Sequence, residues 1–250
     1  MEKEARMKKL IKNLLSRSGY RIEKISPTVL NPKRTNKSMN NVLALLSKRH
    51  PINTIIDVGA SNGSWSALAM KYYPLCNYLL VEAQPIHETA LKQFISAHHN
   101  SQYALAAAGD REGQIYFDAT DPLGGQASFT PYQVNNIVVP VTSIDNEIKN
   151  RNLPGPYLLK TDTHGFEVPI LKGASHTLSE TDAIIMECYN FKISPECLLF
   201  YEMCNYLDGL GFRCVNLVNP EWRPYDDALW QMDLIFIRKN MPEFSYLAYF

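Results

Sequence analysis

Residues 57–63 (Asp-Val-Gly-Ala-Ser-Asn-Gly) have the composition of a ligand-binding turn. They follow a short apolar run at 54–56, and a helical pattern begins at Ser64. A strand that breaks into a glycine-containing turn at a helix N-terminus exposes backbone N–H groups and lets a ligand approach the chain closely. This segment therefore predicts ligand binding at the carboxyl end of a strand.

A second apolar run, residues 78–81, ends in Glu82. In an open parallel sheet, ligands bind outside the carboxyl ends of the strands, and an acid at the tip of the second strand commonly holds ribose hydroxyls. Asp57 and Glu82 together predict a cofactor that contains adenosine. For Asp57, a carboxylate that caps a turn or a helix is the structural alternative.

The spacing of the turn distinguishes between cofactors. A dinucleotide fingerprint needs a second glycine two residues after the first, whereas here Ser61 follows Gly59 and the next glycine is Gly63. A carboxylate such as Asp57 attracts cations and repels phosphates. The turn thus predicts S-adenosylmethionine, which carries sulfonium and ammonium groups. An NAD(P)-binding oxidoreductase is the alternative, and Ser61 argues against it.

The composition predicts one α/β domain with a small N-terminal extension. The 250 residues are 46% apolar, and 25 basic side chains balance 25 acidic ones, so there is no broad basic field for nucleic acid. No stretch reaches the roughly 18 apolar residues of a membrane-spanning helix, and the N-terminus lacks the apolar region of a signal peptide. Five cysteines without Cys-x-x-Cys spacing predict reduced thiols in a cytoplasmic protein.

The N-terminal region, residues 1–50, is predicted to be helical. Residues 3–17 form a basic amphipathic pattern, which either packs on its own domain or lies on a membrane surface as a peripheral contact. A proline-containing connector at 26–36 and a helix at 39–49 follow. The α/β domain is assigned to 51–240 and a tail to 241–250, and the oligomeric state is left open.

Strand-like and helical patterns alternate from residue 51 onward, which is typical of βαβ units and a parallel sheet. No helical pattern separates the last two strands, so the final strand is expected to be antiparallel. This predicts a Rossmann-like α/β fold of the class I methyltransferase type, with a seven-stranded, mostly parallel sheet and helices on both faces. The predicted strands are 53–57, 77–82, 102–107, 156–162, 182–188, 212–217 and 229–238, with helices at 64–73, 86–97, 166–179 and 195–209 and a β-rich insert whose strands, 114–118 and 136–142, flank a loop at 121–133.

Residues 160–174 (Lys-Thr-Asp-Thr-His-Gly-Phe-Glu-Val-Pro-Ile-Leu-Lys-Gly-Ala) resemble the signature of the FkbM-type S-adenosylmethionine-dependent methyltransferases. That signature is Lys-x-Asp, then x-(Glu/Gln)-Gly-x-Glu, an apolar stretch and Leu-Lys-Gly-Ala. Residues 57–63, 81–85 and 141–145 resemble other motifs of the family, and the resemblance covers about residues 50–240. His164 departs from it, because the family usually has Glu or Gln there.

The resemblance implies methyl transfer to a hydroxyl of a small polar acceptor, often a sugar in a glycan, a lipid-linked saccharide or a natural product. A sugar hydroxyl is a poor nucleophile until its proton can leave, so a carboxylate or imidazole is expected beside it. Asp162, His164 and Glu167 are the catalytic candidates. A turn histidine bonded to backbone, and an acid that complements a helix dipole, are the alternatives for His164 and Glu167.

The remaining predictions concern binding. The polar loop 124–133 is long enough to cover an acceptor, and no metal is predicted because the carboxylates lack a dedicated ligand spacing. A non-catalytic adenosyl-binding scaffold that docks through residues 3–17 is a further alternative. The predicted cofactor-binding residues are Asp57, Gly59, Ala60, Ser61, Asn62, Gly63, Glu82, Ala83, Gln84, Ala107 and Asp162, and the predicted acceptor-binding residues are Gln126, Ser128, Glu187 and Trp222.

Overall fold

The computed structural model describes residues 38–134 and 136–249. The predicted helix at 3–17 and the connector at 26–36 lie outside these residues. The elements are α1 (Met39–Arg49), β1 (Thr54–Val58), α2 (Ser64–Met70), β2 (Asn77–Glu82), α3 (Glu88–Ala97), β3 (Ser101–Leu105), β4 (Ala107–Ala108), β5 (Gly113–Asp118), β6 (Gln126–Ser128), β7 (Asn136–Thr142), α4 (Ile144–Arg151), β8 (Tyr157–Thr161), α5 (Glu167–Lys172), α6 (Ser175–Ser179), β9 (Thr181–Tyr189), α7 (Phe200–Gly209), β10 (Phe212–Trp222) and β11 (Leu229–Arg238), with short 3-10 turns at Pro85–His87 and Pro242–Phe244.

Seven strands form the main sheet in the order β10-β11-β9-β8-β1-β2-β3. The adjacent strands β9, β8, β1, β2 and β3 run parallel to one another, and β11 is antiparallel to both β9 and β10. This confirms the predicted mostly parallel sheet with an antiparallel last strand. The chain leaves β1 toward β2 and β3 on one side and later adds β8 and β9 on the other. The tips of β1, β2 and β8 therefore lie at a topological switch point, where open α/β sheets bind ligands.

Alternate residues of the central strands pack into two apolar cores, one on each face of the sheet. Ile56 and Leu159 lie in the core beneath α4 to α7, whereas Ile55 and Leu158 lie in the core beneath α1 to α3. Because both faces are covered by helices, β1 and β8 are buried along their whole length. Helices on both faces are thus confirmed. Leu43 of α1 is fully buried in the second core.

The β-rich insert forms a second sheet of four strands in the order β4-β7-β5-β6. The two predicted strands appear as β5 and β7, which pair antiparallel. The prediction of a simple loop at 121–133 is wrong in part, because β6 lies within it and pairs with β5. A strand of three residues is too short for its alternation to be recognised in the sequence.

Several predicted boundaries differ from the structure. The strand predicted at 212–217 continues to Trp222, and shifts of register between Val218 and Glu221 and between Glu221 and Trp222 accommodate Pro220. The helix predicted at 166–179 is divided into α5 and α6. Gly173 lies between them, and the absence of a side chain there allows close approach to the backbone of Gly109. Helix α4 was missed, and α7 begins at Phe200 rather than at 195.

Two further findings concern the described helices and the thiols. None of the described helices combines the length and the apolar character needed to cross a membrane. All five cysteines lie in the described part of the chain and are free thiols.

Candidate active site

The tips of β1, β2 and β8 open into a cavity of about 720 Å³, which the insert covers from one side. The predicted site residues that line this cavity are Gly59, Ala60, Ser61, Asn62, Glu82, Ala83, Gln84, Ala107, Asp162, His164 and Glu187. Asp57, Gly63, Glu167, Gln126, Ser128 and Trp222 are not among its lining residues.

Gly59 begins the turn after β1 and has a left-handed backbone, with φ of +73°. A Cβ at this position would overlap the carbonyl oxygen of Asp162, so glycine allows the tips of β1 and β8 to approach. The N–H groups of Gly59 and Ala60 donate to the carbonyl of Val81, at 2.9 and 3.2 Å. The turn is therefore held between its two neighbouring strands.

Glu82 at the end of β2 is buried, and both of its carboxylate oxygens accept backbone N–H groups. Oε2 accepts from Ser61 at 2.7 Å, and Oε1 accepts from Gln84 at 2.8 Å. Each carboxylate oxygen has a second lone pair, so Glu82 can accept further hydrogen bonds from a ligand. This side chain joins the two turns and also lines the cavity.

Asp57 lies behind the cavity wall, not on it. Its carboxylate is fully buried; Oδ2 accepts from the hydroxyl of Ser66 at 2.7 Å, and Oδ1 lies 3.0 Å from Nζ of Lys160. The predicted direct contact between Asp57 and a cofactor is therefore revised to a structural role, because the carboxylate is enclosed by its own partners. Gly63 also does not line the cavity, and a Cβ at this position would contact the ring of Phe94.

Lys160 is a cavity residue that the sequence predictions did not assign. Its Nζ donates to the carbonyl of Gly59 at 3.0 Å and lies 3.5 Å from Oδ2 of Asp162. Burial lowers the pKa of this lysine, but the charges of Asp57 and Asp162 raise it by more, so the pKa stands above its usual value. Lys160 is thus a buried cation. A single basic residue in an otherwise apolar strand could have indicated it.

Asp162, His164 and Glu187 converge on the other side of the cavity, at the tips of β8 and β9. Nε2 of His164 lies 3.9 Å from Oδ1 of Asp162 and 3.8 Å from Oε2 of Glu187. The other ring nitrogen, Nδ1, is 3.2 Å from the carbonyl oxygen of Gly125. Because a carbonyl only accepts, Nδ1 carries the proton of this bond, and Nε2 is the ring nitrogen that faces the carboxyl groups.

Glu187 is held by two neighbours and is mostly buried. Oε1 accepts from Nε2 of Gln231 at 2.6 Å, and Oε2 accepts from the hydroxyl of Tyr189. Burial and the charge of Asp162 raise the pKa of Glu187 to about 9. Gln231 and its cross-strand partner Glu221 also line the cavity and were not predicted. Their pairing depends on the bulged register of β10 and β11, which carries no local signal.

Glu167 does not reach the cavity. Its Oε1 accepts from the N–H of Gly165 at 3.1 Å and from the hydroxyl of Thr163 at 3.0 Å, and burial raises its pKa. The carboxylate closes its own turn, and Glu167 also lies in the first turn of α5, where the alternative given above places an acid that complements the helix dipole.

The predicted acceptor residues of the insert and of β10 also point elsewhere. On β6, Ala127 lines the cavity, whereas its neighbours Gln126 and Ser128 do not, because side chains alternate along a strand. The Ser128 hydroxyl instead accepts the N–H of Thr130 at 3.1 Å. Trp222 lies at the end of β10 and is 56% exposed.

The loop between β5 and β6, which covers the cavity, is held by Gln84 just after β2. Nε2 of Gln84 donates to the carbonyls of Asp121 and Pro122, at 3.0 and 3.1 Å. The side-chain amide of Gln84 is thus engaged with the loop, and Pro122, Leu123 and Gly125 form part of the cavity wall.

Comparison with known proteins gives a family and several structures of similar fold. The family described as "Methyltransferase FkbM domain" matches residues 57–214. The FkbM methyltransferase from Methylobacillus flagellatus KT is 15% identical with a TM-score of 0.48, and the alignment covers 73% of this chain and 43% of that one. The chain therefore spans less than half the length of that relative. No functionally curated protein matched the chain.

Two further solved structures are similar at comparable levels. Precorrin-6y C5,15-methyltransferase from Geobacter metallireducens GS-15 is 10% identical, with a TM-score of 0.45 and coverage of 83% of this chain and 92% of that one. Streptococcus pneumoniae Sp1610, a putative tRNA (m1A22) methyltransferase in complex with S-adenosyl-L-methionine, is 11% identical, with a TM-score of 0.47 and coverage of 84% and 74%. At these identities the likeness concerns the fold alone. The family match extends over more than half of the chain, confirms the resemblance carried by residues 160–174, and shows that the chain belongs to the FkbM methyltransferase family.

Proposed function

We propose that this chain is an S-adenosylmethionine-dependent methyltransferase that methylates a hydroxyl of a small polar acceptor, with a sugar as the acceptor class. We assign this activity to residues 51–240. The observation that carries the proposal is that one cavity holds both halves of the chemistry. Glu82 and the turn after β1 line one side, and Asp162, His164 and Glu187 line the other.

The cofactor half would be formed by the turn after β1 and by the tip of β2. Glu82 would accept the ribose hydroxyls with its remaining lone pairs, and Ser61, Asn62 and Ala83 would surround the nucleoside. The small side chain of Ala107 leaves room beside them. Bound there, the cofactor supplies an electrophilic methyl group. These residues bind and orient it, which is the main requirement for an in-line methyl transfer.

The acceptor half would be formed by Asp162 and His164. With the cluster free of metal, Nε2 of His164 would take the hydroxyl proton as the acceptor oxygen takes the methyl group, and the bonding pair would stay with the sulfur of the cofactor. The bond between Nδ1 and Gly125 keeps the Nε2 lone pair directed into the cavity. Glu187, Glu221 and Gln231 offer the carboxylate and amide groups that recognise sugar hydroxyls. The balanced formal charge of the chain supports a small acceptor over nucleic acid.

Thermal unfolding of the full chain with added nucleotides tests this proposal. S-adenosylmethionine and S-adenosylhomocysteine are expected to raise the melting temperature, with about 2.7 kcal/mol of stabilisation at a hundredfold excess over Kd. NAD is expected to have no effect. A rise with NAD and none with either adenosyl compound would contradict the proposal and favour the oxidoreductase.

Replacing Glu82 with Ala is expected to weaken S-adenosylhomocysteine binding by at least about tenfold, because the ribose loses its acceptor and the N–H groups of Ser61 and Gln84 lose theirs. Isothermal titration calorimetry below the melting temperature measures this change. Glu88→Ala is the matched control, since Glu88 pairs with Lys92 on α3 and does not line the cavity. Equal affinities for the two variants would exclude Glu82 as the ribose ligand.

A further inference from the structure

Three potential metal-ligand atoms converge at the acceptor side of the cavity. They are Oδ1 of Asp162, Nε2 of His164 and Oε2 of Glu187, and all lie within 4.8 Å of one another. The two distances from Nε2, 3.9 and 3.8 Å, are nearly equal. A point equidistant from three atoms with these separations lies about 2.1 to 2.5 Å from each of them, which is within the normal range of ligand distances for divalent cations.

The imidazole presents a defined nitrogen to the cluster. Its Nδ1 donates to Gly125, so Nε2 is the ring nitrogen that faces the two carboxyl groups. Nε2 lies 3.8 and 3.9 Å from the two carboxyl groups, which is beyond hydrogen-bond distance. Three potential ligand atoms therefore face one another with room for an ion between them, an arrangement that a positive charge at the centre would stabilise.

Each of the three side chains is also oriented by a partner outside the cluster. Gly125 fixes the ring of His164, and Gln231 holds Oε1 of Glu187 so that Oε2 faces the gap. Lys160 lies beside Oδ2 of Asp162, and Oδ1 is the oxygen on the side of His164. Outer partners that fix the tautomer of a histidine and the rotation of a carboxylate are the usual surroundings of metal ligands.

The local charge and the donor set select the class of cation. Lys160 and the buried Asp57 form an ion pair whose formal charges cancel, and Asp162 and Glu187 supply two carboxyl groups to the cluster beside the imidazole. Mg²⁺ and Ca²⁺ prefer oxygen ligands alone, whereas an imidazole together with carboxylates suits first-row transition metals. We propose that Asp162, His164 and Glu187 bind one divalent transition-metal cation, such as Mn²⁺.

The catalytic consequence of this site rests on the proposed function, whereas the binding of the cation does not. Three protein ligands leave coordination positions open toward the cavity, where an acceptor hydroxyl can bind. A cation lowers the pKa of a hydroxyl bound to it. With the cation present, His164 is a ligand rather than a base, and the hydroxyl proton passes to water before the O–CH3 bond forms and the S–CH3 bond breaks.

Electron paramagnetic resonance tests the site through the signal of free Mn²⁺, which decreases as the ion binds to protein. The full chain, purified with chelator and then freed of it, is expected to bind one Mn²⁺. His164→Ala and Glu187→Gln are expected to weaken this binding at least about tenfold. Asp110→Asn is the matched control, because Asp110 lies beside Arg111 outside the cavity, and it is expected to bind Mn²⁺ as the unaltered chain does.

Absence of binding at up to about 1 mM Mn²⁺ would overturn the proposal. So would unchanged binding in His164→Ala, or an equal loss in Asp110→Asn. Thermal unfolding of each variant separates loss of the site from loss of the fold, and the isosteric Glu187→Gln keeps the cluster testable if His164→Ala does not fold. The test is also separate from that of the proposed function. Binding of S-adenosylhomocysteine in the presence of chelator addresses only the cofactor, and binding of Mn²⁺ without cofactor addresses only the metal site.

Discussion

Replacing Lys160 with Met is expected to lower the free energy of unfolding by about 3–5 kcal/mol. The lysine ammonium lies 3.0 Å from Oδ1 of Asp57, whose carboxylate is fully buried. Met has a similar length, but it would leave the carboxylate without a counter-charge in a region from which water is excluded. Urea-induced unfolding followed by circular dichroism measures the loss.

Two further variants identify the cause of this loss. The double variant Asp57→Asn with Lys160→Met removes both charges and is expected to recover part of the stability, because no unpaired charge remains. Lys239→Met breaks an exposed pair with Asp208, whose 2.7 Å separation is similar, and is expected to lose less than about 1 kcal/mol. Equal losses for Lys160→Met and Lys239→Met would show that burial of the Asp57 pair has no special effect on stability.

Replacing His164 with Ala is expected to lower kcat by about 10² to 10⁴-fold while the affinity for S-adenosylhomocysteine stays within about twofold. The polar neighbours of the imidazole are Gly125, Asp162 and Glu187, whereas Glu82 binds the turn after β1. Its loss therefore removes activation of the hydroxyl, either as a base or as a cation ligand. The measurement is the rate of S-adenosylhomocysteine release with a saccharide that the unaltered chain methylates.

His176→Ala is the matched control, since His176 lies at the surface on α6, near Glu180, and does not line the cavity. Its kcat is expected to be unchanged. An unchanged kcat in His164→Ala as well would remove His164 from the reaction. A loss of cofactor affinity without a change in kcat would instead assign the residue to the cofactor half.

The strands β1 and β2, which carry the proposed cofactor-binding residues, are the part of the site that the sequence predicts most directly. β1 and β2 follow each other along the chain, and each ends in a local signal, the turn at 57–63 and Glu82. Because parallel neighbours end at the same edge of a sheet, these two signals were enough to locate the cavity. The orientation of the Asp57 side chain could not be predicted from the sequence, since it depends on Lys160, which lies about a hundred residues later in the chain.

The acceptor half depends on contacts that no local pattern contains. Asp162, His164 and Glu167 are all near the tip of β8, but the left-handed backbone at His164 and Gly165 directs the imidazole into the cavity while Glu167 folds back on its own turn. Glu221 and Gln231 meet across a bulged antiparallel pair. In both cases the outcome is decided by backbone torsions and register, which are tertiary properties.

Gly125 belongs to a segment that is hydrogen-bonded at both sides of the cavity. Its carbonyl accepts the proton of His164 Nδ1, while the same segment is anchored a few residues earlier to Gln84, just after β2. An outward displacement of this segment would withdraw the carbonyl and release the imidazole to rotate. The orientation of the His164 ring therefore depends on the position of this segment.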